Sequence, residues 1–300
     1  MRDYMPASKY PRRPQRRTDR QRWVKQRSLA QVDAERGRLV GSPRSDLRRT
    51  LIERFLVRNL SGQKGPYLEI GPGPGRFTPL LLDRKVPVVL LDISRPMLRA
   101  ARRSLHHRKD PRRPWGYIEA PAEDLPMLRD KSLGAITLVG LFGFFGYEGE
   151  GMIQSAYRAL RPGGLLIVEA QAASHAIFAE LSRDANKTLP ILQEPKRHHF
   201  DRILEEGFQP RDPDHAANWD FRFWRPPELM NALQRSGFAV EEAMSVAPTL
   251  GNQDAALQTY RRDLRAWKNL IETEEMLGHR PECLGGGSVY LIAARRKRAR

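Results

Sequence analysis

The part of the sequence with the most chemical content is a glycine-rich segment, Tyr67–Thr78, which reads YLEIGPGPGRFT. A short apolar run ends at Glu69, and glycines then alternate with prolines at Gly71, Gly73 and Gly75. Glycine tolerates positive φ and lets backbone N–H groups come close to a ligand. A helix that follows such a turn directs the positive end of its dipole to the same place. The segment therefore predicts a ligand-binding turn between a buried strand and a helix, with an ordinary strand-to-helix turn as the alternative.

A second acidic residue, Asp92, ends the next apolar run and lies 21 residues beyond Gly71. A carboxylate at the end of a parallel strand can accept hydrogen bonds from both hydroxyl groups of a nucleoside ribose. The alternative is that Asp92 caps the helix expected to begin near Arg95. The two roles are compatible, so the sequence leaves both open.

Two further segments follow the glycine-rich segment and Asp92 along the chain. Ala120–Pro126 reads APAEDLP and follows the third predicted strand, and Arg161–Gly164 reads RPGG and precedes the fifth. The glycine segment itself fits E-x-G-x-G-x-G, whereas a dinucleotide site would require a glycine where Arg76 stands. Together these features resemble the class I S-adenosylmethionine-dependent methyltransferases over residues 67–170.

The resemblance implies an enzyme that binds S-adenosylmethionine. Carried over to this sequence, the family pattern places the main chain around Gly71 and Gly73 against the methionine portion and Asp92 on the ribose. Ala122 would contact the adenine through its backbone N–H, and either Glu123 or Asp124 would accept a hydrogen bond from the exocyclic amine. The predicted cofactor-binding residues are Glu69, Gly71, Pro72, Gly73, Gly75, Asp92, Ile93, Ala122, Glu123 and Val139.

Alternating apolar strands and amphipathic helices must position these residues. Helices are predicted at 45–60 (with Ser45 as N-cap), 76–82, 95–105, 152–160, 226–236 and 255–277. Strands are predicted at 67–70, 86–92, 115–120, 134–141, 165–170, 238–246 and 289–294. This alternation predicts an α/β fold with a Rossmann-like, doubly wound sheet. The family resemblance implies seven strands, mostly parallel, with the last strand antiparallel.

The stretch 171–224 interrupts the alternation and is rich in aromatic residues. A structureless segment of this length is unusual in a compact domain, so we expect it to form a cap over the site. The predicted division of the chain is a basic, disordered extension at 1–44, a methyltransferase domain at 45–294 and a basic tail at 295–300. No internal repeat is visible in the sequence.

The methyl acceptor is predicted to be a small molecule. The segment after the fourth strand, LVGLFGFFGYEGEG, lacks the N-P-P-Y or N-L-P-Y pattern usual in enzymes that methylate base amino groups. The weak catalytic candidates are Tyr147, His198 and His199, since a histidine could act as a general base for a hydroxyl nucleophile. His175, Trp219 and Arg222 are further candidates on the substrate side. For each of these residues a surface or packing role is the alternative.

The net charge of +17 is concentrated at the two ends of the chain. Residues 1–60 hold 17 Lys and Arg against 6 Asp and Glu, and the tail adds five basic residues. Basic ends of this kind can bind a polyanion such as RNA, or can simply promote solubility. The second functional hypothesis is therefore an RNA-associated methyltransferase or an RNA-binding protein.

Composition limits the other classes of function. The single cysteine, Cys283, allows no disulfide within the chain and no cysteine zinc site, so we predict no metal. No apolar run is long enough to cross a membrane, and the first thirty residues lack the apolar core of a secretory signal. We therefore expect a cytoplasmic protein.

Overall fold

The computed structural model describes residues 41–106, 112–123, 125–181, 198–208, 221–250 and 253–298. The strands are β1 (Tyr67–Ile70), β2 (Val88–Asp92), β3 (Gly116–Glu119), β4 (Leu133–Leu138), β5 (Leu160–Gln171), β6 (Phe238–Val246) and β7 (Val289–Arg296). The helices are α1 (Pro43–Asn59), α2 (Thr78–Leu82), α3 (Arg95–His106), α4 (Gly149–Ala159), α5 (Ala173–Leu181), α6 (His198–Asp201), α7 (Pro226–Arg235), α8 (Asp254–Arg261) and α9 (Leu264–Gly278). A π-helical turn, Arg202–Glu206, continues α6, and short 3₁₀ segments cover Phe142–Glu148 and Pro281–Cys283.

The seven strands form one sheet in the order β3-β2-β1-β4-β5-β7-β6. The pairs among β1 to β5 are all parallel, whereas β7 lies between β5 and β6 and is antiparallel to both. The predicted Rossmann-like sheet with an antiparallel last strand is therefore confirmed. In a sheet of this kind the carboxyl ends of the parallel strands meet along one edge, where ligands bind.

Helices cover both faces of the sheet because the central strands are apolar on both sides. On one face α1, α2, α3, α8 and α9 pack against a core that includes Tyr67, Leu90 and Ile167. On the other face α4 and α7 pack against a core that includes Leu68 and Ile136. Strands buried on both faces read as continuous apolar runs, which is the pattern that identified them in the sequence.

Side-chain N-caps place the starts of two helices at positions that differ from the predicted ones. The prediction of Ser45 as the N-cap of α1 is wrong, because Ser42 takes that position and its Oγ accepts a hydrogen bond from the Ser45 N–H at 3.1 Å. Pro43 then occupies the first turn, where its missing N–H has no cost. The single helix predicted at 255–277 is also wrong, because Asp263 interrupts it and caps α9 by accepting from the Ala266 N–H at 2.8 Å.

The last strand is longer than the sequence pattern indicated. β7 runs to Arg296, so Arg295 and Arg296 belong to the sheet and not to a basic tail. The Arg295 guanidinium donates to Glu241 and to the Gly163 carbonyl, and Arg296 donates to the Leu160 carbonyl. Within the described ranges, none of the helices has the length and apolar character needed to cross a membrane.

Candidate functional site

The glycine turn lies at the carboxyl ends of three adjacent strands. β1 pairs with β2 on one side and with β4 on the other, and Glu69 is in register with Leu90 and Thr137. The Gly71 N–H donates to the carbonyl of Leu91 at 2.8 Å, which continues the ladder past the end of β1. The turn therefore starts at a position that the sheet fixes.

Positive φ explains why glycine occurs three times in this turn. Gly71, Gly73 and Gly75 have φ of 65°, 54° and 85°. A Cβ on Gly71 would come within 2.7 Å of the Leu141 side chain, and a Cβ on Gly75 would lie 3.4 Å from Ala101. A Cβ on Gly73 would meet nothing within 4 Å, so Gly73 borders open space at the edge of the sheet.

The prolines between these glycines have a different role. Pro72 is buried, and its carbonyl accepts a hydrogen bond from the Gly75 N–H at 2.9 Å, which closes the turn. Proline has no N–H, so this turn offers fewer donors to a ligand than a phosphate-binding loop does. Such a turn suits a ligand without phosphate groups.

Glu69 is a buried carboxyl group beneath the turn. It is 5% exposed, and its Oε2 accepts a hydrogen bond of 2.6 Å from the Thr78 hydroxyl at the start of α2. Burial raises the pKa of Glu69 to about 7, although the hydrogen bond from Thr78 acts in the opposite direction. A buried carboxyl group with this pKa would be charged more readily beside a cation.

Asp92 lies at the carboxyl end of β2, next to the turn in the sheet order. It is 9% exposed, and its Oδ1 accepts a hydrogen bond from the Ser94 N–H at 2.8 Å. The hydroxyl of Ser94 is buried and has no hydrogen-bond partner among the described residues. The end of β2 thus presents a carboxylate and a hydroxyl group together. One oxygen of the carboxylate, Oδ1, also holds the turn into α3 through the Ser94 N–H.

The remaining predicted cofactor residues follow the neighbouring strands. The Ala120 N–H donates to the Asp92 carbonyl at 3.2 Å, which holds the loop after β3 against the end of β2. Ala122 and Glu123 in this loop are buried, and the Ser155 hydroxyl of α4 donates to the Glu123 carbonyl at 3.0 Å.

Two further predicted residues, Ile93 and Val139, are half-buried after β2 and β4, and Asp124 lies outside the described residues. Gly140 follows Val139 with φ of 78°, and a Cβ there would meet nothing within 4 Å. The end of β4 therefore borders open space in the same way as Gly73.

This arrangement fits a positively charged nucleoside. Two buried carboxyl groups lie at the ends of adjacent strands, and Gly73 between them and Gly140 after β4 border open space. A diol can be held by a carboxylate such as Asp92, and a cation is stabilised by one such as Glu69. Among the described residues, no group of three or more side chains is arranged to hold a metal ion.

Tyr147 and Arg222, two of the residues predicted to lie on the substrate side, both contact Phe208. Tyr147, in the 3₁₀ segment after β4, is 39% exposed, and its ring stacks on Phe208 with centroids 4.2 Å apart. The Arg222 guanidinium lies 3.7 Å from the centre of the Trp224 ring and forms an ion pair with Glu228. The backbone of Arg222 pairs with that of Phe208, so the two flanks of residues 209–220 are joined.

The histidine candidates lie on two helices of the predicted cap segment, α5 and α6. His175 is half-buried on α5, and its ring lies 6.2 Å from that of Phe178. His198 and His199 begin α6, but their side chains lie outside the described residues, as does Trp219.

Sequence reasoning missed an ion pair between a buried glutamate and a half-buried arginine close to this edge of the sheet. Glu169, near the end of β5, accepts a hydrogen bond from an Arg48 guanidinium nitrogen at 2.5 Å, and only 1% of its side chain is exposed. Its second oxygen is buried and has no hydrogen-bond partner among the described residues. The two residues are 121 positions apart, so no local pattern could have paired them.

Comparison with known proteins agrees with this geometry. Residues 68–168 match the family model described as "Methyltransferase domain". This range begins inside β1 and ends inside β5, so it contains the glycine turn, Asp92 and the loop after β3. No curated protein matches the chain.

Solved structures share the fold at low sequence identity. A SAM-dependent methyltransferase from Methanosarcina mazei is 16% identical with a TM-score of 0.51, and the match covers 81% of this chain and 98% of that one. A chain from the complex between the Haloferax volcanii Trm112 methyltransferase activator and a methyltransferase is also 16% identical, with a TM-score of 0.56. That match covers 92% of this chain and 99% of the other.

Proposed function

We propose that the chain, whose residues 68–168 match a methyltransferase domain, is a class I S-adenosylmethionine-dependent methyltransferase that transfers the methyl group to a small-molecule acceptor held above the carboxyl ends of β4 and β5. S-adenosylmethionine, when bound, supplies an electrophilic methyl group on a sulfonium centre. The protein positions and desolvates the two reactants, since the activation belongs to the cofactor.

One observation carries the proposal of a small acceptor. Three segments meet in an apolar cluster beside the ends of β4 and β5, and its buried members are Ala173, Ile203, Phe221 and Phe223. Phe144, from the segment after β4, packs edge-on against Phe221 with ring centroids 4.9 Å apart. Sites for small molecules are typically concave and largely apolar, with a few polar groups that orient the ligand.

The described parts of the predicted cap, 171–181, 198–208 and 221–224, supply most of this cluster. We therefore propose that the segment acts as a cap over the acceptor. Arg222 stands between Phe221 and Phe223 of this cluster in the chain, and both Arg222 and Tyr147 contact Phe208, so we propose that these two residues orient the acceptor. Tyr147 would do so through its hydroxyl, and Arg222 through an anionic group on the acceptor.

On the donor side, we propose that Asp92 accepts hydrogen bonds from the ribose and that Glu69 complements the positive charge of the methionine portion. The loop with Ala122 and Glu123 would border the adenine. These roles follow the family pattern and the positions of the residues at the sheet edge.

Substitution of Asp92 tests the donor side. We expect Asp92→Asn to weaken binding of the demethylated cofactor by about 1.5–3 kcal/mol, as for hydrogen bonds to a charged group. The amide oxygen can still accept from the Ser94 N–H, so the fold should be retained. Isothermal titration calorimetry measures the affinity, and unchanged affinity in the folded variant would show that the ribose lies elsewhere.

Truncation separates the small-molecule proposal from the RNA-associated alternative. Residues 1–28 and 297–300 can be removed while α1 and β7 are kept, whereas a cut before Arg295 would remove hydrogen bonds within the sheet. We expect the truncated protein to methylate components of a metabolite extract at the rate of the full chain, measured with a radiolabelled methyl donor. Retained turnover on RNA alone, or loss of all turnover with the basic ends, would favour the alternative.

A further inference from the structure

Trp115 is the most exposed large aromatic side chain in the described part of the chain, at 78%. Its position is fixed, because its N–H donates to the carbonyl of Val88 at 2.7 Å and the next residue begins β3. β3 is the edge strand of the sheet on this side. A single exposed apolar residue is common on protein surfaces, so the ring needs a second feature to indicate a function.

The second feature is the charge around this ring. α3 and residues 112–119 contain six arginines and one acidic residue. The arginines are Arg95, Arg99, Arg102, Arg103, Arg112 and Arg113. The acidic residue, Glu119, lies 3.8 Å from Arg95 at the carboxyl end of the strand, away from Trp115, and Asp83, which directly follows α2, lies 3.5 Å from Arg112.

The arginines of α3 and of the segment before β3 approach the same part of the strand. Burial raises the pKa of the Tyr117 hydroxyl, while the charges of Arg102 and Arg113 both act to lower it. The Arg113 guanidinium also donates to the carbonyl of His106 at 3.1 Å, which joins the segment before β3 to the end of α3. Tyr117 is two residues from Trp115, so positive charge and an exposed aromatic ring share one edge.

We propose that this edge, formed by β3, residues 112–115 and the outer side of α3, binds single-stranded nucleic acid. Proteins that hold single strands combine a basic surface for the phosphates with aromatic rings on which bases stack. Trp115 supplies the stacking ring, and Arg99 and Arg102 supply charge one helical turn apart. The strand pairing holds the ring in place before a ligand arrives.

An acidic protein is a less suitable partner for this surface. Protein interfaces need a buried apolar core as well as a polar rim. Within 95–106 and 112–119, Trp115 is the one exposed large hydrophobic side chain, so no such core is available. Stacking with a base, by contrast, needs one flat ring and nearby cations.

The surface is separate from the proposed acceptor site. β3 and β2 are neighbours, and Glu119 is in register with Asp92, so the edge adjoins the donor side of the sheet. The apolar cluster of the acceptor side lies beyond β1, at the ends of β4 and β5. A bound strand would therefore pass alongside the donor site without entering the acceptor cluster.

The test is binding of a fluorescently labelled oligouridine of about 20 nucleotides to the full-length chain. We expect binding that weakens as salt concentration rises. We expect Trp115→Ala to weaken binding by about fivefold or more through lost stacking. The double variant Arg99→Glu/Arg102→Glu should also weaken binding and lower the slope of log affinity against log salt by about two.

The matched control is Arg265→Glu/Arg280→Glu, which changes the net charge equally. Both arginines are exposed, and they lie on α9 and directly after it, beside β6 at the opposite edge of the sheet. The control should bind the oligouridine within about twofold of the unmodified chain. Equal melting temperatures of all variants by circular dichroism would show that folding is retained.

Three outcomes would overturn the proposal. In the first, the full chain does not bind the oligonucleotide at low salt. In the second, Trp115→Ala and the α3 double variant bind as tightly as the control, which would place the contact elsewhere on the chain. In the third, polyglutamate of equal length competes fully and Trp115→Ala has no effect, which would indicate an acidic polypeptide as the ligand.

Discussion

At the scale of single residues, Glu69 links burial to protonation. Its pKa is raised to about 7 in the folded protein, from 4.5 for an ordinary glutamate. The folded state therefore holds a proton that the unfolded state releases between these two pH values. It follows that Glu69 makes the free energy of unfolding fall as pH rises from 4.5 to about 7.

The same titration predicts how cofactor affinity depends on pH. If only the ionised carboxylate accepts the cationic donor, its fraction rises from about one tenth at pH 6 to about nine tenths at pH 8, so affinity should rise about tenfold. Calorimetry with S-adenosylmethionine at both pH values measures this change. Glu69→Gln cannot ionise but keeps an acceptor for the Thr78 hydroxyl, so it should lose most of the dependence. An equal rise in the variant would place the titration in another group.

At the scale of the elements, the turn between β1 and α2 requires glycine for two different reasons, positive φ and the close approach of a side chain. Gly71 and Gly73 both have positive φ. A Cβ added to Gly71 would lie 2.7 Å from the Leu141 side chain, whereas a Cβ added to Gly73 would meet no atom within 4 Å. Alanine in the left-handed region costs about 1 kcal/mol, and at Gly71 a steric clash with Leu141 is added.

We therefore expect Gly71→Ala to lower the melting temperature clearly more than Gly73→Ala, and differential scanning fluorimetry without ligand measures both. Gly73→Ala should mainly lower cofactor affinity, because the added methyl group would occupy open space at the sheet edge. Two variants with equal stability would mean that Leu141 moves aside without cost. Full cofactor affinity in Gly73→Ala would show that this space is not part of the donor site.

Local signals in the sequence account for most of the elements and for the donor side of the site. The bounds of β1 and β6 were predicted as observed, because glycine and proline mark their ends: Pro66 and Gly71 flank β1, and Gly237 and Pro248 stand on either side of β6. The glycine turn and Asp92 were found for the same reason, since strand, turn and helix follow one another in the chain.

Contacts between distant segments could not be predicted in this way. The Arg48–Glu169 pair and the stacking of Tyr147 on Phe208 depend on tertiary packing. The break at Asp263 was missed because an apolar helical pattern continues on both sides of it, and a side-chain cap ended the helix instead.

At the scale of the whole molecule, a network of charges ties α1 to the far edge of the sheet. Arg58 donates to Glu242 of β6 at 2.5 Å and to Glu275 of α9 at 2.6 Å. Burial acts to raise the pKa of Glu242, but hydrogen bonds from Arg58, His279 and Asn59 outweigh it and the pKa is lowered. The pKa of Glu275 is lowered for the same reason, by hydrogen bonds from Arg54 and Arg58.

Since both pKa values are lowered, this network stabilises the fold above the unfolded value of 4.5 and loses its effect as pH falls below it. We expect Arg58→Ala to reduce the free energy of unfolding by about 1 kcal/mol at pH 7 and by less at pH 3. Urea denaturation at the two pH values measures the difference. Lys268→Ala, which removes an exposed pair with Glu272, is the control and should have little effect at either pH. An equal loss for Arg58→Ala at both pH values would assign its role to packing.

The central place of β7 has a consequence for synthesis on the ribosome. Residues 238–246 leave the exit tunnel before the strand that joins them to β5 has been translated, since β7 comes later in the chain and lies between the two. Until then β6 has no neighbour in the sheet, and the long edge of β5 stays open. The sheet therefore cannot be completed until β7 has been translated to residue 296 and has left the tunnel. A ribosome that stalls shortly before that point would hold a protein with two open strand edges.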